Sequence, residues 1–80
     1  MRLPRDLSGD QLAQALAALG YEVTRQSGSH LRLTSTLHGQ HHITIPRHRS
    51  LRNGTLAGIL ADVAEHHAMD RALLIQRLFG

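Results

Sequence analysis

Two residue types dominate the chemistry this sequence can offer: seven histidines and nine basic residues, all of them arginine, with no cysteine. An imidazole titrates near neutrality and can take or give a proton, whereas a guanidinium stays charged and presents a planar fork that fits phosphate oxygens. Without cysteine there is no thiolate nucleophile, disulfide or thiolate metal site. Among the histidines, His30 is set apart by context. It closes the run Ser27-Gly28-Ser29-His30, so a tight turn hands it directly to the residues of a strand. A basic stretch, Pro46-Arg47-His48-Arg49-Ser50-Leu51-Arg52, follows a second strand-like segment that Pro46 ends.

The elements that would position these groups are written in the hydrophobic pattern. Ser8 with Gln11 three residues on is a capping box, and Leu12, Ala15, Leu16 and Leu19 recur at helical spacing until Gly20, which predicts a helix over residues 9–19. Tyr21, Val23 and Arg25 alternate with Glu22, Thr24 and Gln26 as in a half-buried strand. Strand two, residues 30–34, sets Leu31 and Leu33 on one face and His30, Arg32 and Thr34 on the other. After a loop at His38-Gly39-Gln40, strand three, residues 41–45, opposes Ile43 and Ile45 to His42 and Thr44. Leu56, Ile59, Leu60 and Val63 predict a helix over residues 54–65, and Asp70 can cap a last helix carrying Leu73, Leu74, Leu78 and Phe79.

The expected class is α+β: a three-stranded antiparallel meander with helices packed on one face, in the order α-β-β-β-α-α, because one apolar sheet face needs one layer of helices to cover it. The other face stays open and polar. Pairing Leu33 with Ile43 and Leu31 with Ile45 keeps the apolar sides aligned and sets His30 opposite Pro46, next to Arg47 and His48. His42 then lies roughly 13 Å from His30, at ~3.3 Å per residue along the strand.

Length and composition bound the rest. Eighty residues are expected to form one domain, 1–80, with an aliphatic core, since Tyr21 and Phe79 are the only aromatics and offer no stacking platform for bases. The formal charge of +3, before any histidine is protonated, favours an anionic partner. The use of arginine alone is equally what a biased base composition would give. The opening Met1-Arg2-Leu3-Pro4-Arg5-Asp6 has no apolar run and no later stretch nears the ~20 residues of a membrane span, so the expectation is a cytoplasmic protein without membrane contact.

Gly28-Ser29-His30, then Ile43-Thr44-Ile45-Pro46, then Leu51-Arg52-Asn53-Gly54-Thr55-Leu56-Ala57-Gly58-Ile59-Leu60, in this order and spacing, resemble the HicA family of mRNA interferase toxins. The resemblance implies a fold like the double-stranded RNA-binding domain, cleavage of mRNA, neutralisation by a HicB-type antitoxin, and His30 as the catalytic residue. Where many members place a second histidine directly after the first, this chain has Leu31, and it lacks the lysines common in the family.

RNA carries its own nucleophile, the 2'-hydroxyl, so cleavage needs a base for that proton, an acid for the leaving 5'-oxygen and positive charge on the phosphate, with no metal or other cofactor. His30 is the candidate base. Arg32, Arg47 and His48 are candidates for phosphate contact or proton transfer, Gly28 and Ser29 could offer backbone N–H groups, and Arg49 and Arg52 either contact RNA or form a solvated loop. The pairs His41-His42 and His66-His67 suggest zinc at first sight, but adjacent residues diverge on a strand or helix, so each pair gives one site at most one ligand. Two other functions remain open: a non-catalytic double-stranded RNA-binding module, and a degenerate toxin acting only through an antitoxin.

Overall fold

A computed structural model describes residues 3–80; Met1 and Arg2, part of the opening segment weighed above as a signal, lie outside the described residues. Helix α1 (Gly9–Leu16) starts where the capping box predicts. The Ser8 hydroxyl accepts from the Gln11 backbone N–H at 3.0 Å, and the Gln11 side chain accepts from the Ser8 N–H at 2.9 Å. The last predicted turn tightens into a 3-10 turn (Ala17–Leu19), which Gly20 ends with φ +80, a left-handed value that a glycine adopts without strain.

Strands β1 (Glu22–Ser27), β2 (His30–Ser35) and β3 (His41–Pro46) form an antiparallel meander in the order β1-β2-β3. Helix α2 (Asn53–His66) and helix α3 (Arg71–Phe79) follow, the latter capped by Asp70, whose carboxylate accepts from the Leu73 N–H at 2.7 Å. This is the α+β architecture in the order expected, and it is double-stranded-RNA-binding-domain-like.

Burial follows strand parity. Leu31, Leu33, Ile43 and Ile45 are buried beneath Leu12, Leu16, Leu56, Leu60, Val63 and Leu74 of the three helices, while Arg32 and Thr44 between them are exposed. The β2–β3 register is the one that hydrophobic alignment demands: Leu33 pairs with Ile43, Leu31 with Ile45 and His30 with Pro46.

The β1–β2 register departs from the expected alternation. A bulge lies between Val23 and Arg25, so Val23 pairs with Leu33 but Arg25 pairs with Arg32. One extra residue in β1 shifts the phase of everything after it. Arg25, expected on the face of Val23, therefore shares the open face with Arg32, and the Thr24 hydroxyl also reaches that face, at 2.9 Å from the Thr34 hydroxyl.

Candidate active site

The turn joining β1 to β2 is two residues long, Gly28 and Ser29, between the paired Ser27 and His30. Gly28 takes φ +57 at the first central position, where a β-carbon would strain the turn. His30 thus begins β2 at the rim of the sheet. Its flanking partner Leu31 is buried, so its own side chain stands on the open face, and among the described residues none forms a hydrogen bond with its imidazole.

The segment after β3 is tied to this turn on one side and to the start of α1 on the other. The Arg47 N–H donates to the Ser29 carbonyl, continuing the ladder one step past His30–Pro46. The Gly9 N–H, first in α1, donates to the His48 carbonyl at 2.9 Å. Gly9 is buried against Pro46 so closely that a β-carbon there would lie inside contact distance of the Pro46 carbonyl oxygen and near the Arg47 Cα. The α1 start, the hairpin turn and residues 46–48 therefore form one unit around His30.

Arg47 itself turns away from the open face. Its Nε donates to both carboxylate oxygens of Asp10, at 3.0 and 3.3 Å, and with Asp10, Val23, Gln26 and Leu31 it lines a shallow depression on the helix side. Its backbone lies beside His30 as expected; its guanidinium is engaged elsewhere. His48, Arg49 and Arg52 are exposed, and Arg52 is the N-cap of α2 without a capping side chain. Arg32 stands on the open face, one step along that face from His30 on β2. Thr34 pairs with His42, whose Nδ1 lies 2.8 Å from the Thr34 hydroxyl, so His42 sits at the other end of the face.

A second constellation was invisible in the sequence. His41 from β3 and His67 from the end of α2 meet at Tyr21, and His38 and His66 pack against those two rings. The Tyr21 hydroxyl lies 2.6 Å from His41 Nδ1 and 3.0 Å from His67 Nε2, and His41 Nε2 lies 3.1 Å from Asp62. One hydroxyl proton serves one acceptor, so a consistent chain runs His67 Nε2–H to Tyr21, Tyr21 O–H to His41 Nδ1, and His41 Nε2–H to Asp62. That assignment leaves His67 Nδ1 an unprotonated acceptor, and among the described residues it is the buried side-chain nitrogen without a partner. Burial pushes Tyr21 up to about 12, helped by Asp62, and lowers His67 below the usual histidine value, helped by the neighbouring imidazoles. Two adjacent His pairs each gave one ring to the Tyr21 hydroxyl, His41 and His67. Among the described residues no three His, Asp or Glu are arranged to hold a metal ion.

A helix-backed meander with an open, basic face and a histidine at its rim defines a small α+β protein of the double-stranded-RNA-binding-domain-like class. Residues 9–64, from the first residue of α1 to nearly the end of α2, match the family described as HicA toxin of bacterial toxin-antitoxin, and the chain belongs to that family. It is a toxin of a toxin–antitoxin system, which implies an antitoxin partner. No curated protein and no solved structure matches the chain. Helix α3 lies outside the matched residues, and no helix among those described is long and apolar enough to cross a membrane.

Proposed function

We propose that the chain is an endoribonuclease that cleaves mRNA without a metal or other cofactor, with His30 as the catalytic residue and a HicB-type antitoxin as its neutralising partner. The supporting observation is an uncommitted imidazole at the rim of an open basic face, held on a two-residue turn that is itself tied to residues 46–48. His41, His42, His66 and His67, by contrast, are each held by a tyrosine, threonine, aspartate or carbonyl partner.

In this reading the imidazole of His30 removes the proton of a ribose 2'-hydroxyl. The 2'-oxygen attacks the adjacent phosphorus, the bond to the 5'-oxygen breaks, and that oxygen takes a proton from an acid. His48, exposed on the strapped segment, is the candidate acid, and Arg32 a candidate for phosphate contact. Peptide N–H groups at the Gly28–Ser29 turn supply further donors. The chain acts in the cytoplasm, where its mRNA substrate is translated.

The test is the chemistry of the products. Purified protein incubated with a 5'-labelled single-stranded RNA in excess chelator should yield fragments ending in 2',3'-cyclic phosphate and beginning with 5'-hydroxyl. Products ending in 3'-hydroxyl, or activity abolished by the chelator, would sink the mechanism.

A further inference from the structure

We infer that Arg25 and Arg32 form a two-arginine clamp for a phosphate of the RNA strand adjoining the one handled at His30. The inference deepens the nuclease reading and rests on RNA being the ligand of the open face. It begins with the bulge. Because β1 carries one extra residue between Val23 and Arg25, Arg25 is rotated out of the helix-facing row and set directly opposite Arg32. Directly paired residues of an antiparallel sheet share a face, and like charges in that arrangement repel.

The sheet does little to relieve this repulsion. Arg32 pairs on its other side with Thr44, a neutral hydroxyl, and the described ion pairs involve Asp10 and Asp62, neither with these arginines. The acid of the face is Glu22, which pairs with Thr34 and makes no ion pair with either arginine among the described residues. His42, bonded to Thr34, adds positive charge when protonated. Two adjacent guanidiniums without a carboxylate are an unfavourable arrangement for the protein alone and a favourable one around a shared anion, since each fork can bind phosphate oxygens through parallel N–H groups.

Position supplies the identity of the anion. The row Arg25–Arg32–Thr44 neighbours the row Ser27–His30–Pro46 on the same face, about 7 Å away at ~3.3 Å per residue. Two long arginine side chains at that separation can hold one phosphate group while His30 addresses the ribose beside it. Arg47, the guanidinium nearest His30 in the backbone ladder, is engaged by Asp10 on the helix side, which leaves the open face to the β1–β2 pair.

The experiment uses the His30→Ala protein as a non-cleaving binder, a short single-stranded RNA and a titration of affinity against salt. Arg25→Gln and Arg32→Gln, each in that background, should weaken binding roughly tenfold and lower the slope of log affinity against log salt by about 0.7 per arginine, as loss of one single-strand phosphate contact requires. Arg71→Gln on α3 should leave affinity and slope unchanged. Removing one charge of a repelling pair relieves strain, so melting temperatures at or above the parent's separate loss of the clamp from loss of the fold. Unchanged slopes in both variants would overturn the clamp, as would variants that bind RNA normally but lose the antitoxin, which would make the pair a protein-docking site. Cleavage by the His30 protein together with unchanged slopes refutes the clamp alone. Slopes that fall with each arginine, together with no cleavage of the same RNA by the protein that keeps His30, support the clamp and refute the nuclease.

Discussion

A side chain at position 9 would press into the backbone of Pro46, and backbone cannot swing aside as the tip of a flexible side chain can. Gly9→Ala should therefore cost about 1–3 kcal/mol by urea denaturation. It should also lower RNA cleavage in the fraction that stays folded, because the displaced segment is the one tied to the turn before His30. Asp10→Asn acts differently. The Asp10–Arg47 pair is about half exposed, so its loss should change stability by no more than ~1 kcal/mol. At the same scale, Tyr21→Phe deletes the hydroxyl between His41 Nδ1 and His67 Nε2 and leaves the buried His67 Nε2 without a partner, for an expected loss of about 1–3 kcal/mol.

The histidine cluster joins elements. It ties the end of α2 to the β2–β3 loop, through Tyr21 and through His66 Nε2, which donates to the carbonyls of Leu37 and Gly39 at 3.2 and 3.1 Å. His67 has a lowered pKa because burial and the nearby His66, His38 and His41 disfavour its charged form. The unfolded chain therefore binds that proton at a higher pH than the folded one, and the stability His67 contributes is full above the ordinary value of 6.5 and lost as pH falls below it. Thermal melts should show a falling midpoint from pH 7 to 5, with a smaller fall in His67→Gln. An equal fall in both would exclude His67 as the source.

What the sequence made legible at this scale was the local pattern. The Ser8–Gln11 box, Gly20 and Asp70 mark helix ends through bonds spanning three or four residues, and the alternation around Leu31 and Ile43 permits one register with His30 opposite Pro46. The bulge at Thr24 left no mark, since an inserted residue in a strand looks like any other until its partner strand is in place. For the same reason strict alternation puts Arg25 on the face of Val23, whereas the bulge turns it to the face of Arg32. The Arg47–Asp10 pair and the rings around Tyr21 join residues 20 to 46 positions apart, and residue types alone do not say that such side chains meet.

For the molecule as a whole, one aliphatic layer serves both stability and function. The same leucines and isoleucines that seat the helices fix the parity that turns His30, Arg32 and Thr44 outward. An 80-residue chain has a total stability on the order of 4–12 kcal/mol. Leu33 is fully buried at the centre of the sheet, so Leu33→Ala, at about 2–5 kcal/mol, should leave a substantial unfolded fraction near the lower end of that range, read as a lower urea midpoint. The basic surface makes RNA affinity salt-dependent throughout, so comparisons between variants hold only at one ionic strength.

The most direct test of the account is single-turnover cleavage of one RNA by the wild-type protein and by His30→Ala, with the melting temperature of each measured in the same buffer. His30 is exposed and no described residue bonds its imidazole, so the variant should melt with the wild type while its cleavage rate falls about 10²- to 10⁴-fold, as expected for loss of a general base. A His30→Ala protein that folds normally and cuts RNA at the wild-type rate would contradict the assignment of His30 as the catalytic residue.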